Sequence, residues 1–454
     1  MKSNFAYKCC FWVFVITVLL APLPFASNRP WSWSLLSSLI GILLILESIF
    51  NPVELHKHRI FIRRMAFGIC IWFIVVMWSF IQQCSLFPSD WAHPLYREVQ
   101  HLTGREVSSI ISLNADQTRE SLMRFLAYGG VFWLGSRFCM RREFADNALS
   151  AFMIGVISYA IYGLLMYFSG IEKILWFEKW AYRGDLVSTF VNRNTFATFL
   201  GLGILCCLSL MMHWRIAVSD HHVKRDALFF IPIVSNWRLM GALLILMVLF
   251  TALLLTHSRA GFLSTVIGAG VLILISRITE GGKKQGFKYI ILLVLGFGVY
   301  VFYISGDFLV SRIRNTFSGV LLRDDVYAQV LIAILENPIF GYGYGSFEYA
   351  FMAFKTPEIS RLNWNYAHNT YLELAFELGV PVIAAIIIFF AWLMFVYARG
   401  LKIRRRGRYF PMLGIGSCIL VGVHSIFDFS LQIPGLTVSY ALIAGMTWAQ
   451  SWPR

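Results

Sequence analysis

Long apolar blocks dominate this sequence and constrain its fold more than any other feature. Each block runs for about 17–20 residues with almost no charge, the length that a helix needs to cross a hydrocarbon core of roughly 30 Å. The 454-residue chain is 58% hydrophobic and only 14% charged, against roughly 45–50% and about 25% in soluble proteins. The sequence therefore predicts an all-α, polytopic membrane helical bundle and excludes an ordinary soluble enzyme, a coiled coil and a disordered chain.

About twelve blocks fit transmembrane helices. They lie at residues 10–26, 33–50, 65–83, 122–139, 148–168, 195–212, 239–256, 260–276, 288–305, 380–398, 410–427 and 434–450. The first block could instead be a secretory signal peptide, because Lys2 and Lys8 precede it and Phe25-Ala26-Ser27 is a loose cleavage site. Pro22 and Pro24 and the lack of a clean small-x-small motif favour a retained anchor.

The blocks divide the chain into three regions. Residues 1–305 hold spans 1–9 with their connecting loops, residues 306–379 form one large loop, and residues 380–454 hold spans 10–12 and a short C-terminus. Part of the large loop, residues 368–378, reads as a short helix that Gly379 and Pro381 end. We expect function in long loops on one face of a rigid helical scaffold.

The net charge of +15 reports membrane orientation. With both termini in the cytoplasm, the short inner loops carry most of the Lys and Arg residues, as the positive-inside rule requires. Nucleic-acid binding is not needed to explain the charge. The long loops then face outward, so we expect the chemistry on the outer face of the membrane.

Two further classes of protein lack support in the sequence. A transporter would fit inverted repeats or a relay of intramembrane carboxylates, but the two halves show no repeat and the spans hold few charges beyond Glu47. The eight cysteines lie mostly in or beside apolar blocks, which indicates buried thiols rather than a disulfide framework. No run fits a Cys/His zinc pattern, and we predict neither a metal nor a cofactor.

The outward loops contain several candidate functional residues. His368 and Asn369 begin the short helix that contains Glu377, and a glycine run, Gly341-Tyr342-Gly343-Tyr344-Gly345, precedes it. The run lacks the nucleotide-binding pattern and its lysine. It forms either a plain structural turn or a loop that lets a ligand approach the backbone.

Arginines and one His/Asp pair lie at other outward positions. Arg259 sits in a very short link between two spans, where it could simply snorkel to water and lipid phosphate. Asn192 and Arg193 precede the sixth span. His424 and Asp428 are four residues apart, a spacing that lets them form a structural hydrogen bond on one helical face.

Arginines and a histidine at the outer membrane surface fit one kind of chemistry. The guanidinium fork binds phosphate oxygens in pairs and keeps its charge, and a histidine can accept a proton from an attacking hydroxyl. Together they favour sugar transfer from a lipid diphosphate donor, with the arginines stabilising the departing diphosphate.

The same residues resemble a known family. His368-Asn369-x-x-Leu372 followed by Glu377-Leu378-Gly379 is similar to the signature of the O-antigen ligase and polymerase superfamily of bacterial membrane proteins. Further landmarks follow the family's order: Ile111-Ser112-Leu113-Asn114-Ala115, Thr118-Arg119-Glu120, Phe190-Val191-Asn192-Arg193-Asn194, Ser258-Arg259, Asn337-Pro338 with Gly341-x-Gly343, and Asp428-Phe429 with Ile433-Pro434.

The resemblance implies a fold and a reaction. It implies a GT-C-like helical fold, a periplasmic site, an undecaprenyl-diphosphate-linked glycan donor and metal-independent, inverting transfer. The essential histidine of the family corresponds to His368 and its two important arginines to Arg259 and Arg323, with Arg312 and Arg314 as alternatives to Arg323. Arg193 is a further candidate for phosphate binding. Asn369, Asn192, Glu377, His424 and Asp428 would support these residues.

The acceptor separates the members of this superfamily. We expect an O-antigen ligase that transfers glycan to lipid A-core in lipopolysaccharide biosynthesis. A polymerase that extends lipid-linked repeats and an O-oligosaccharyltransferase acting on protein are the alternatives, and a transporter of lipid-linked glycan is the rival of a different class. We expect no added C-terminal domain of the kind that protein-glycosylating members tend to carry, which favours the ligase over the O-oligosaccharyltransferase.

Overall fold

The computed structural model of the protein describes residues 2–51, 55–86, 88–105, 109–219, 237–279, 324–357, 359–360, 362–404 and 406–453. Helices make up most of these ranges. The first nine are α1 (Lys2–Leu20), α2 (Pro30–Phe50), α3 (Leu55–Gln82), α4 (Pro94–Thr103), α5 (Ala115–Phe138), α6 (Arg142–Phe168), α7 (Arg193–Ser219), α8 (Trp237–Leu255) and α9 (Arg259–Thr279).

Six more helices follow, and one small hairpin lies between α6 and α7. The helices are α10 (residues 324–336), α11 (Phe347–Ala350), α12 (Thr370–Leu378), α13 (Val380–Ile403), α14 (Tyr409–His424) and α15 (Pro434–Ala449). The hairpin pairs β1 (Lys173–Ile174) with β2 (Phe177–Glu178) in antiparallel register.

The long helices agree with the predicted all-α membrane protein. Eleven of the twelve predicted spans overlap a helix, and the ninth, 288–305, lies outside the described residues. Within the described ranges, seven helices are long and apolar enough to cross a membrane, namely α2, α3, α6, α7, α8, α9 and α13. The count of twelve spans and the GT-C-like fold remain predictions.

The first helix ends earlier than predicted. It stops at Leu20, and the chain then turns through Phe25–Ser27, where three consecutive residues have positive φ. Pro22 and Pro24 explain the difference, because proline removes a backbone donor and clashes with the preceding helical turn.

The ends of the long helices fall into two groups. We call one group the loop end; it holds the C-termini of α1, α3, α6, α8 and α14 and the N-termini of α2, α5, α7, α9, α13 and α15. Contacts between loops tie this end together, for example the hydrogen bond from Thr189 Oγ1 to Pro22 O at 2.8 Å. The opposite, basic end carries many arginines, including Arg142, whose guanidinium bonds to Asp146 and to Tyr409.

A buried ion pair joins α2 and α5 near the basic end. Arg137 Nε lies 3.3 Å from Glu47 Oε1, and both side chains are at most 5% exposed. Asn51 donates a further hydrogen bond to the same carboxylate oxygen. A charge inside a membrane protein is tolerated when it is paired in this way, so Glu47 has a structural partner.

Close helix packing surrounds a central helix. α7 is the most enclosed of the seven candidate spans, because 94% of the residues in its most apolar stretch are buried. α9 and α14 approach closely where two glycines face each other, since a Cβ on Gly268 would lie 3.0 Å from Gly416 O. Small residues at such crossings let membrane helices pack without a hydrophobic driving force between them.

Two glycines of α9 give a matched test of this packing. We expect Gly268→Leu to lower the melting temperature of the purified protein strongly, because the new side chain would force α9 away from the α14 backbone, at a typical overpacking cost of about 1–3 kcal/mol. Gly270→Leu is the control, since a Cβ at Gly270 meets nothing within 4 Å. Thermal unfolding in detergent measures both variants, and equal melting temperatures would contradict the proposed contact.

Candidate functional site

His368 lies in the turn that leads into α12. Asn369 is the N-cap of this helix, and its Oδ1 accepts hydrogen bonds from Tyr371 N at 3.0 Å and Leu372 N at 3.1 Å. Tyr327 of α10 donates a hydrogen bond from its hydroxyl to His368 O. The His-Asn pair of the motif thus has a structural explanation. The asparagine caps the helix, and this cap determines the position of the histidine directly before it.

The His368 side chain bonds to an aspartate sixty residues later in the chain. His368 Nδ1 lies 3.2 Å from Asp428 Oδ1. The imidazole is 21% exposed, whereas the aspartate side chain is 0% exposed. The pair therefore combines a buried carboxylate with a ring that solvent or a substrate can reach.

Hydrogen bonds hold Asp428 in place. Thr370 Oγ1 donates to Asp428 O at 2.8 Å, Thr370 N donates to Ser425 O at 2.9 Å, and Ser430 Oγ donates to Asp428 Oδ2 at 3.2 Å. Burial would raise the pKa of the Asp428 carboxyl, but the hydrogen bond from His368, the nearby His424 and the Phe429 amide together hold that pKa below its ordinary value. The carboxyl is thus ionised at neutral pH.

The carboxylate at Nδ1 orients the imidazole ring. It favours the tautomer that carries its hydrogen on Nδ1 and leaves Nε2 as the acceptor. Aromatic rings enclose the pair: the Phe429 ring centroid lies 5.0 Å from that of His368, and Tyr366 stacks on Phe429 at 3.9 Å. The arrangement suits a general base beside an apolar wall.

The predicted hydrogen bond between His424 and Asp428 is wrong. The ring nitrogens of His424 are buried and have no hydrogen-bond partner in the part of the chain that the structure describes. α14 ends at His424, so Asp428 lies beyond the helix, and the four-residue spacing no longer places the two side chains on one face. The carboxylate of Asp428 instead contacts the ring of His368.

Glu377 anchors the glycine loop to α12. The side chain is buried, and Oε1 accepts a hydrogen bond from Phe347 N at 3.1 Å. Burial raises the pKa of Glu377 to about 7, against the lowering effect of the Gly345 and Phe347 amides and the Arg124 charge. Glu373 accepts a bond from Ala367 N at 2.6 Å, and burial together with Glu377 raises the pKa of this carboxyl as well.

The glycines of the run pack closely against other segments of the protein. Gly345 has φ 76° and a Cβ there would collide with Ser121 Oγ. The Gln82 side chain binds the same region, since Nε2 donates to Phe340 O and Glu377 O, both at 2.8 Å, and Oε1 accepts from Tyr344 N. The glycine backbone is therefore tightly packed, and Tyr344 and Gly345 also line a cavity.

Arg193 belongs to a second polar group at the loop end. Arg193 Nη1 lies 2.8 Å from Asp185 Oδ2, and His257 Nδ1 lies 2.8 Å from Asp185 Oδ1. Asn192 Oδ1 accepts a hydrogen bond from Asn194 N at the start of α7. Ser258 Oγ donates to Asn194 Oδ1 at 2.8 Å, which joins the starts of α7 and α9.

Arg259 is the more accessible of the two described arginine candidates. It is exposed at the first turn of α9, directly after Ser258, whereas Asp185 already neutralises much of the Arg193 charge. The first turn of a helix also favours anions. Arg323 lies outside the described residues, as do Arg312 and Arg314.

The two groups lie at the same end of the bundle. The turn Ser430–Gln432, which follows Asp428, contacts α7, whose first residue is Arg193. The structure thus places His368, Asp428, Arg193 and Arg259 at the loop end, where His368 is hydrogen-bonded to Asp428 and Arg193 to Asp185. Among the described residues, no three His, Cys, Asp or Glu side chains come together in a way that could hold a metal ion.

Two residues of this region, Asp185 and Arg124, were not identified as candidates from the sequence. Asp185 lies in a long loop and gave no signal, because loop residues follow no helical spacing and its partner His257 lies 72 residues later in the chain. Arg124 lies within the predicted span 122–139 and contacts Ser121 Oγ and the ring of Trp33. A charge inside a span is a functional signal that could have identified this arginine.

The raised carboxyl pKa values predict how stability depends on pH. In the folded protein Glu377 and Glu373 hold protons that the unfolded chain releases above about pH 4.3. Stability should therefore fall as pH rises from about 4.3 through about 7. We expect the melting temperature to decrease from pH 5 to pH 8, and the double variant Glu373→Gln/Glu377→Gln to flatten this dependence. The exposed Glu336→Gln is the control, and an unchanged pH slope in the double variant would contradict the assignment.

Residues 242–387 match the family described as O-antigen ligase. The matched range covers about a third of the chain and includes Arg259, Arg323 and His368. No curated protein matches the chain. The family match agrees with the ordered motifs and with the apolar helices, and it confirms the recognition made from the sequence. Over this third of its length the chain is similar to the O-antigen ligase family.

Proposed function

We propose that this protein transfers a glycan from an undecaprenyl-diphosphate-linked donor to an acceptor hydroxyl at the periplasmic face of the bacterial inner membrane. Its termini lie in the cytoplasm, and the loop end faces the periplasm. The family supports ligase- or polymerase-type transfer of lipid-linked glycans. The specific reaction that we propose is ligation of O-antigen to lipid A-core, because the matching family is described as O-antigen ligase.

The His368–Asp428 pair is the observation that carries this proposal. The acceptor oxygen attacks the anomeric carbon of the donor while its proton passes to His368 Nε2. The bond from that carbon to the diphosphate oxygen breaks, and the diphosphate leaves with the electron pair. Attack from the opposite face inverts the anomeric centre. Asp428 stabilises the imidazolium, as a buried carboxylate does in other general-base pairs.

The departing diphosphate needs positive charge. Arg259, exposed at the first turn of α9, is the first ligand that we assign to it, and Arg323 and Arg193 are the further ones. Preorganised guanidinium groups can stabilise the charge that develops on the leaving oxygens without a metal ion. Asn192 supports this group because it caps the helix that Arg193 begins.

The basic end of the bundle supports the proposed orientation. Arg64, Arg142, Arg404 and Arg408 lie there, at the opposite end from His368. Basic residues concentrate on the cytoplasmic side of membrane proteins. The loop end is thereby assigned to the periplasm.

Removing either member of the catalytic pair should stop transfer. We expect His368→Ala to lower kcat by about 10²–10⁴-fold, the usual contribution of a general base, and Asp428→Asn to lower it because the ring loses its orientation. Mass spectrometry of released undecaprenyl diphosphate measures both. His101→Ala, which changes an exposed histidine of α4, is the control. Near-normal transfer by purified His368→Ala would remove the general-base role.

The bidentate geometry of the arginine guanidinium should contribute more to use of the donor than its positive charge alone. We expect Arg259→Lys to lower kcat/KM for the donor by at least tenfold, because an ammonium group cannot bind two phosphate oxygens at once. Arg277→Lys changes an arginine in the last turn of the same helix, at the basic end, and should leave kcat/KM unchanged. Equal effects of the two substitutions would argue against a diphosphate site at Arg259.

Two further measurements separate the alternatives. A transporter would move lipid-linked glycan without releasing undecaprenyl diphosphate, so the pure protein incubated with donor and acceptor distinguishes the classes. In cells that lack the protein, full-length lipid-linked polymer should accumulate if it is a ligase. Accumulation of single repeat units would instead indicate a polymerase.

A further inference from the structure

Two arginines at the basic end lie over one tryptophan. The guanidinium carbon of Arg64, on α3, is 4.8 Å from the centre of the Trp452 ring, and that of Arg399, on α13, is 5.3 Å from it. Helices that are distant in the chain thus bring two positive groups to the same aromatic side chain. Like charges held close together repel each other, so this arrangement favours a negative charge beside them.

The described residues do not supply that negative charge. Neither Arg64 nor Arg399 forms an ion pair or a hydrogen bond with a residue that the structure describes. By contrast, the buried guanidinium of Arg137 at the same end is paired with the Glu47 carboxylate. The two guanidinium groups over Trp452 can therefore accept an anion from outside the chain.

The tryptophan between the two arginines is held in place. Its carbonyl oxygen accepts a hydrogen bond from Arg404 Nη1 at 3.2 Å, and the Trp452 and Trp448 ring centroids lie 5.6 Å apart. Arg399 is exposed and Arg64 is half-buried, so a ligand can reach both. A guanidinium that lies over an aromatic ring retains N–H donors for phosphate oxygens, which it binds in pairs.

Exposed phenylalanines continue from the arginines toward the middle of the membrane. Phe67 follows Arg64 by three residues on α3, and it is 50% exposed. Phe395 precedes Arg399 by four residues on α13, and it is 65% exposed. These spacings place side chains on one helical face. Because α3 runs away from the basic end and α13 runs toward it, each phenylalanine lies one turn deeper than its arginine.

The two helices are in direct contact at this level. A Cβ on Gly68 would lie 2.7 Å from the Trp392 ring, and the Phe67 and Trp392 ring centroids are 6.0 Å apart. The charged and the apolar side chains thus belong to one continuous strip along two packed helices. We call this strip the α3/α13 surface, and its outward side chains are Arg64, Phe67, Phe395 and Arg399.

This combination of charge and apolar area matches the chemistry of one ligand class. An anionic phospholipid carries a phosphate at the membrane boundary and acyl chains directly below it. Inorganic phosphate would use the arginines alone, and a soluble acidic protein could not reach phenylalanines at the depth of the hydrocarbon core. Basic groups between transmembrane helices on the cytoplasmic side are typical of sites for lipid head groups.

We propose that the α3/α13 surface binds an anionic phospholipid, with its phosphate held between Arg64 and Arg399 and its acyl chains along Phe67 and Phe395. The orientation proposed above places this lipid in the cytoplasmic leaflet. By neutralising the two guanidinium groups, the lipid removes their repulsion and stabilises the contact between α3 and α13. The site lies at the opposite end of the bundle from His368, and its occupancy does not depend on glycan transfer.

Native mass spectrometry of the purified full-length protein tests this site. Phosphatidylglycerol and phosphatidylcholine with the same acyl chains differ in net charge, and we expect the wild type to bind the anionic lipid at least about tenfold more tightly. The double variant Arg64→Gln/Arg399→Gln should lose this preference. An excess of inorganic phosphate should not displace the lipid, because it lacks the chains. Displacement by inorganic phosphate would overturn the assignment to a lipid.

A second double variant controls for the overall charge. Arg59→Gln/Arg406→Gln also removes two positive charges from exposed side chains at the basic end, and it should bind phosphatidylglycerol as the wild type does. Melting temperatures in neutral detergent show that both variants are folded. Without lipid, Arg64→Gln/Arg399→Gln should melt no lower than the wild type, because the repulsion between the two guanidinium groups is gone.

The outcomes separate a specific site from general attraction to a basic surface. Loss of the preference for phosphatidylglycerol in Arg64→Gln/Arg399→Gln alone would support the site. An unchanged preference in that variant, or an equal loss in Arg59→Gln/Arg406→Gln, would overturn it. These measurements need neither donor nor acceptor, so a protein that fails to release undecaprenyl diphosphate would overturn the proposed transfer and leave the phospholipid site standing.

Discussion

The two hydrogen bonds that Thr370 makes to the 425–428 turn hold the candidate site together. Its backbone N–H donates to Ser425 O and its hydroxyl donates to Asp428 O, which joins the start of α12 to the end of α14. His368 and Asp428 come from segments separated by sixty residues, and each lies in a turn. Since membrane helices satisfy their own backbone groups, specific contacts of this kind must position the loops between them.

The helices were predictable and the loop contacts were not. An apolar run of membrane-spanning length indicates a helix by its length and composition alone, so α2, α3 and α13 could be predicted from the sequence. His368 was identified from its motif, and Asn369 proves to be a helix cap. The partner of Asp428 could not be found by spacing, because the helical register ends at His424. Residues that meet only through folding, such as Asp185 with His257 and Arg193, leave no periodic pattern.

The described arginines at the loop end differ in how much of their charge is available. Asp185 binds Arg193 directly, so part of the Arg193 charge is already neutralised and less of it is available to a phosphate group. Arg259 is exposed, while Arg124 faces an apolar cavity with a serine and an aromatic ring as neighbours. A guanidinium near low-dielectric walls attracts an anion more strongly than one in water. These three side chains are all arginines, so it is burial and ion pairing that distinguish their roles.

The backbone conformation of His368 depends on the contact that its side chain makes. Its φ of 55° lies in the left-handed region, which costs a residue with a Cβ roughly 1–2 kcal/mol and costs glycine almost nothing. Glycine at this position would relieve the backbone strain, but it would also remove the hydrogen bond from the His368 ring to the buried Asp428 carboxylate. A buried charge left without its partner costs roughly 3–5 kcal/mol, more than the strain itself. The contact between the two side chains therefore maintains a backbone conformation that the turn alone would not favour.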